Sequence, residues 1–160
     1  MILIKFDPEL KGDSKVEGHT DWISVDTFQF GVGRGVSTSG AGTDRDTSNP
    51  SFSEVTISKS MDIASAQLML ETACGLAMTT ATIHFIQTGG KDAKGQHYLE
   101  IILDKPILSG YSISSGGDRP QESLSINYNG FKMQYNQLSE GGTVVEGEAK
   151  GYDLKANVPK

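Results

Sequence analysis

Apolar and polar residues alternate along most of this chain with a period of two, the signature of strands that bury one face. Met1 to Asp7 reads as a first strand. Ile23 and Val25 then alternate with polar neighbours, and Phe28, Phe30 and Val32 alternate on the opposite parity, so the inward face has to change between Val25 and Phe28 through a bulge or bend. Phe52 to Ser58, Thr82 to Gln87, Tyr98 to Leu103, Ile107 to Ser114, Ser123 to Tyr128, Phe131 to Tyr135 and a terminal Tyr152 to Val158 complete the set. So many short strands predict a barrel or sandwich.

One segment has a different period. Asp62 to Cys74 is rich in helix formers, with Asp62 placed as an N-cap and Gly75 as a stop. Ile63, Ala66, Leu70 and Ala73 fall at spacings of three and four and predict an apolar stripe that covers a mouth or flank of the barrel. Asn129-Gly130 has the chemistry of a type I′ hairpin turn, with Tyr128 facing Phe131, Ile126 facing Met133 and Leu124 facing Tyr135. The rival reading is one long strand with a glycine bulge.

Between the strands, Arg34 to Pro50 reads as a 17-residue loop with almost nothing to bury. Loops beyond about 12–15 residues are usually either functional or disordered, and since ordering each backbone unit costs roughly 1–2 kcal/mol, a free monomer gains nothing from ordering this one, whereas a neighbouring subunit could supply the missing contacts. Glu140 to Gly151 is similarly rich in Gly and Glu and is expected to be mobile.

Length and composition bound the function. The 160 residues suit one ordinary unit, and the net charge of −6 carries no basic stripe that could track phosphates, so nucleic acid is not an expected partner. No apolar run approaches the ~20 residues needed to span a bilayer, so no membrane insertion is expected. The N-terminus lacks a secretory pattern, and the single cysteine, Cys74, cannot form an internal disulfide, so synthesis in the cytoplasm is expected.

Candidate chemistry is sparse. Gly31-Val32-Gly33-Arg34-Gly35 lacks the spacing of a dinucleotide fingerprint and reads as a turn into the long loop, while Ser115 to Pro120 reads as a connection between strands. His19, His84 and His97 are scattered singly, without the two-to-five-residue spacing of zinc ligands, so a metal site would need a long-range coincidence and none is expected. His84 is expected to be half-exposed with a structural role, and Cys74 to be a small buried or semi-buried side chain. No G-x-S-x-G elbow occurs. No catalytic residue, cofactor or metal is assigned, and an enzyme is not expected.

Several stretches together resemble one family, the haemolysin-coregulated protein (Hcp) of type VI secretion systems. They are His19 to Val25 with Phe28 to Val32, Phe52 to Lys59 running into Met61 to Ser65, Ser114 to Pro120 into Glu122 to Ser125, and Gly151 to Leu154. The resemblance covers nearly the whole chain and implies a single Hcp-like tube domain over residues 1–160. Its implied fold is a compact β-barrel of two antiparallel sheets flanked by one α-helix, and it favours a bent strand at Asn129-Gly130. Copies would assemble into a hexameric ring, and rings would stack into a tube tipped by a spike protein and wrapped by sheath proteins. The implied subunit is exported through that machine without a signal peptide, to the medium or a target cell, and carries or chaperones small effectors in the lumen. With no residues beyond 160, a fused toxin is not expected.

In such a tube Gln29, between Phe28 and Phe30, is the candidate lumen-facing, cargo-contacting residue. Arg34, Asp44, Arg45 and Asp46 are candidates for a contact loop reaching an adjacent subunit, through pairs worth only ~0–1 kcal/mol each. Six copies at −6 each carry −36 between them, so stacking is expected to strengthen as salt screens the repulsion. Two other readings stand beside this one: a phage-type tail tube protein, and a monomeric small-ligand-binding or catalytic β-barrel.

Overall fold

The computed structural model describes residues 1–37, 46–87, 96–138 and 144–160. In chain order the elements are β1 (Ile2–Asp7), β2 (Ile23–Val25), β3 (Thr27–Gln29), β4 (Val32–Ser37), β5 (Asp46–Phe52), β6 (Val55–Ser60), α1 (Ser65–Cys74) and β7 (Thr80–Ile86). They continue with β8 (His97–Asp104), β9 (Ile107–Ser114), β10 (Gln121–Asn127), β11 (Gly130–Tyr135), β12 (Gln137–Leu138), β13 (Val144–Val145), β14 (Lys150–Asp153) and β15 (Val158–Pro159).

The alternating residues sort into two main antiparallel sheets. A seven-stranded sheet runs β15-β14-β11-β8-β7-β1-β2, and a four-stranded sheet runs β3-β6-β10-β9. Register places Ile4 opposite Ile83, Ile83 opposite Ile101, and Leu124 opposite Ile57, so like residues meet across each ladder. The two apolar faces share one core containing Ile4, Phe6, Ile23, Val55, Ile57, Ile83, Leu103, Leu124 and Ile126. The expected barrel is open: among the described residues no ladder joins the edge strands β2 and β15 of one sheet to β3 and β9 of the other.

The parity change between Val25 and Phe28 marks the point where the chain leaves one sheet for the other. β2 ends in the large sheet and β3 begins in the small one, with Asp26 N–H donating to the Ser58 carbonyl at 2.8 Å. The same happens at Asn129-Gly130, and this corrects the hairpin reading. β10 pairs with β6 and β9, whereas β11 pairs with β8 and β14, so Ile126 and Met133 stand in different sheets. The bent strand is the closer description. Turn chemistry alone could not reveal it, because Tyr128 is buried at the corner and its hydroxyl donates to the Ser53 carbonyl at 2.7 Å.

The long loop is also corrected. Its described parts form a two-stranded arm, β4 against β5, from Val32 opposite Phe52 to Ser37 opposite Asp46, with a register shift between Arg34 and Val36. All six residues of β4 are exposed. The terminal strand is likewise two, β14 and β15, joined by a turn in which the Asp153 carboxylate accepts from the Lys155 and Ala156 N–H groups. Residues 140–143 of the Gly- and Glu-rich stretch lie outside the described residues; β13 beyond them pairs with β12.

α1 starts two residues later than expected, with Ala64 rather than Asp62 at the N-cap. Asp62 still serves its start, since its carboxylate accepts from the Ala64 N–H at 2.9 Å, and Gly75 ends the helix in the left-handed conformation at φ 66° with its N–H on the Glu71 carbonyl. The apolar stripe, however, faces the other way. Ala64, Ser65 and Leu68 are buried, whereas Ile63, Leu70, Met69 and Leu76 are 66, 48, 49 and 63% exposed. Spacing found a stripe but not which of two apolar faces meets the core. Leu68→Ala is therefore expected to destabilise the chain by about 2–5 kcal/mol in urea titrations, while Ile63→Ala and Leu70→Ala in the isolated chain shift it by about 0.5 kcal/mol or less.

Candidate functional site

The four-stranded sheet has one apolar face in the core and one face outward. The outward face consists of three registered rows: Ser114, Gln121 and Ser60; Ser112, Ser123, Ser58 and Thr27; and Gly110, Ser125, Thr56 and Gln29. No charged residue stands in these rows, in a chain of net charge −6. The hydroxyls satisfy one another across strands, as in the 2.6 Å contact of Thr27 Oγ1 with Ser58 Oγ. Gln29 lies exposed at the edge, between half-buried Phe28 and Phe30, as its alternation requires. Carboxylates flank the rows at both ends: Ser60 Oγ donates to Asp26 Oδ2 at 3.4 Å, and Glu54 accepts from Ser109 Oγ at 2.9 Å and from Asn127 Nδ2 at 3.1 Å.

Beneath it lies a buried ion network. Lys59 and Glu122, side by side on β6 and β10, are fully buried and bonded at 2.8 Å. Lys59 Nζ spends its other two short bonds on Asp62 Oδ1, at 2.8 Å, and the Ser60 carbonyl, at 2.9 Å. Tyr111 donates its hydroxyl to Glu122 at 2.7 Å. Burial alone would raise the Glu122 carboxyl, but the bonds from Lys59 and Tyr111 and the Lys59 charge outweigh it and hold the group below its ordinary range. Burial and Glu122 push the Tyr111 hydroxyl up to about 12. This network fixes the start of α1 to the sheet, and its groups are consumed by one another.

The arm leaves the sheets beside an apolar groove of about 400 Å³ lined by residues including Phe30, Val32, Phe52, Phe131, Tyr135 and Tyr152. Phe30 stacks on Phe131 with centroids 4.0 Å apart, and Phe52 on Tyr152 at 5.1 Å. Arg34 is exposed in β4, opposite Pro50. Asp44 and Arg45 lie outside the described residues, and of Asp46 only its place in β5 is described. Instead of turning, Gly31 to Gly35 runs into β4, where the Gly35 N–H donates to Ser48 Oγ at 2.9 Å. Ser115 to Pro120 does connect two strands, β9 and β10. Cys74 is exposed at the end of α1, not semi-buried.

The three histidines, 65 and more residues apart in part, come together. His84 in β7 and His97 in β8 stack with centroids 4.0 Å apart. His19 arrives from the strandless segment between β1 and β2, which folds tightly enough that a Cβ on Gly12 would stand 2.4 Å from the Trp22 carbonyl oxygen. His19 Nε2 lies 2.7 Å from His84 Nδ1, and His84 Nε2 lies 2.9 Å from Glu100 Oε2. His84 is buried rather than half-exposed, with 9% of its surface accessible. Burial, opposed by the Glu100 bond, pushes it down to about 4, and burial likewise lowers His19. No spacing rule reaches across such separations; the only sequence signal was that His84 sits at an outward position of a strand.

Among the described residues no helix is long and apolar enough to cross a membrane. The profile of the family described as type VI secretion system effector, Hcp, matches residues 4–135. The chain belongs to the Hcp family. A solved type six secretion system protein superposes with a TM-score of 0.90 at 24% identity, covering 99% of this chain and 98% of that one. Hcp1 from Salmonella typhimurium does so at 0.76 and 23%, covering 99% and 97%, and a type VI secretion system effector from Yersinia pestis at 0.71 and 18%, covering 96% and 99%. At these identities the solved Hcp structures speak to the fold. No curated protein matches.

The Hcp scaffold here depends on its buried pair. Removing one partner strands the other charge, so Glu122→Gln is expected to cost about 3–5 kcal/mol near neutral pH, whereas the double change Lys59→Met with Glu122→Leu costs less than that single change. Because the folded Glu122 carboxyl sits below its ordinary value of 4.5, its contribution is complete above that pH and is lost as pH falls through the folded value. Urea midpoints of the native chain and Glu122→Gln should therefore differ at pH 7 and converge in acid.

Proposed function

We propose that this chain, as one unit over residues 1–160, is a tube subunit of a type VI secretion system. Copies form hexameric rings, rings stack, and the polar outward face of β3-β6-β10-β9, with its uncharged rows, lines the lumen. The tube is tipped by a spike protein, surrounded by sheath proteins, and exported with its small effector cargo. The subunit is made in the cytoplasm and leaves it through the apparatus, with no enzymatic step of its own. Membership of the Hcp family supports the class of function, and the observation that carries the lumen assignment is the three charge-free rows of hydroxyl and amide side chains. A conduit for folded cargo of varied charge needs a wall that water wets and that binds nothing strongly.

Two further features support self-assembly. The arm β4–β5 is exposed along β4, including Val32 and Val36, and α1 turns Leu70 and Met69 to solvent. Neighbouring copies would cover both, the arm with Arg34, Asp44, Arg45 and Asp46 reaching the adjacent subunit. Its ion pairs tune assembly rather than create it.

Gln29 then faces cargo. Gln29→Trp is expected to leave rings intact by size-exclusion and electron microscopy while lowering retention of a co-purifying effector; unchanged retention would count against the lumen assignment. Stacked species are expected to increase with salt as like charge is screened, followed by sedimentation. Their loss at moderate salt would show that salt bridges join the rings.

A further inference from the structure

On β7, β8 and the segment before β2 lies one cluster that the proposed tube function does not use. Three contacts run in series through it. The Glu17 carbonyl faces His19 Nδ1 at 3.4 Å, His19 Nε2 faces His84 Nδ1 at 2.7 Å, and His84 Nε2 faces the Glu100 carboxylate at 2.9 Å. Carbonyl and carboxylate are acceptors only, so each contact needs a proton, and two neutral imidazoles bring two protons to three contacts. In one tautomer His19 Nε2–H donates to His84 Nδ1 and His84 Nε2–H to Glu100, which leaves the 3.4 Å Glu17 contact without a proton; in the other the outer N–H groups bond Glu17 and Glu100 and two bare lone pairs oppose each other at the centre. A cation held by both nitrogens removes that conflict.

The third ligand is adjacent: His97 stacks on His84 with ring planes 18° apart, so its half-buried ring has to turn out of that stack to bring a nitrogen lone pair to a shared ion. Nitrogens of His19, His84 and His97 all lie within 4.8 Å of one another. The outer bonds match what metal-bound imidazoles require: the ring nitrogen turned away from the ion donates to a carboxylate or a backbone carbonyl, which fixes the tautomer and raises ligand basicity. Trp22 closes the cluster, its ring 4.6 Å from His19 and 4.7 Å from His84 by centroids. We propose that His19, His84 and His97 form a three-imidazole site for a borderline divalent transition ion of the zinc class, oriented by Glu100 and the Glu17 carbonyl.

Ligand type selects the ion, since imidazole suits zinc, nickel and copper while calcium and magnesium demand oxygen. Tetrahedral zinc with bonds of about 2.0–2.1 Å sets neighbouring nitrogens about 3.3 Å apart, so His19 has to draw back by roughly half an ångström. It stands on a turn rather than in a ladder, where such a shift breaks no strand pairing. His97 is half-buried, which leaves solvent access for a water as fourth ligand. The bound ion would staple the strandless segment between β1 and β2 to β7 and β8.

The test uses the full-length chain without a histidine tag, freed of metal by chelator. Titration with cobalt(II) should give the visible absorption of a tetrahedral site at one ion per chain, displaced by zinc(II), and zinc should raise the melting temperature until chelator is added. His84→Ala and His97→Ala should abolish both effects. His97 is the less buried, so its variant keeps the test valid if His84→Ala fails to fold. Glu100→Gln should retain the cobalt spectrum but weaken affinity about 10–100-fold. No equimolar metal, or binding unchanged in His97→Ala, would overturn the proposal and leave a proton-bridged histidine pair. These readouts are per chain and independent of ring assembly.

Discussion

An isolated pair of β-strands is marginally stable in water, and this chain holds one out from its sheets. The described part of the arm β4–β5 is held by its ladder and, at its base, by Phe52 stacked on Tyr152; β4 is exposed along its whole length and carries two glycines that cost backbone entropy to order. In the proposed assembly, a neighbouring copy would cover this exposed strand. Exposed Leu70 and Met69 of α1 and the aromatic groove at the arm's base are further apolar surfaces of this kind. Apolar surfaces of this kind are expected at interfaces between subunits rather than on a solitary protein.

What remains after those surfaces are assigned is a self-sufficient core. The two sheets share one apolar interior, and the Lys59–Glu122 pair ties the smaller sheet to the start of α1 with every short Nζ bond used. In the proposed assembly, copies would meet already folded. The small sheet has a core and an ion network on one face and, on the other, rows of uncharged hydroxyl and amide side chains edged by Asp26 and Glu54.

Much of this was legible from residue patterns and some of it was not. Period-two alternation located the main strands, and Ile107 to Ser114 was placed to the residue, because burial on one face leaves its mark directly in the sequence. Gly75 stopped the helix where expected. The misses share a cause. Asn129-Gly130 and the Ile63-Leu70 stripe obey local rules for hairpins and buried helix faces, yet the sheet to which a strand belongs and the side of a helix that meets the core are settled by partners distant in sequence. Gln29 fell on the outward face through alternation alone. The histidine cluster was invisible because its members come from a turn and two strands, joined only by the β7–β8 ladder and the fold of the segment before β2.

The central claim is that the exposed arm and helix are completed by other copies of the chain. Light scattering on the purified full-length chain over a range of concentrations tests it most directly. The account predicts a species of six times the chain's mass that appears as ring-shaped particles in negative stain; a single-chain mass that persists at the highest concentration would contradict it.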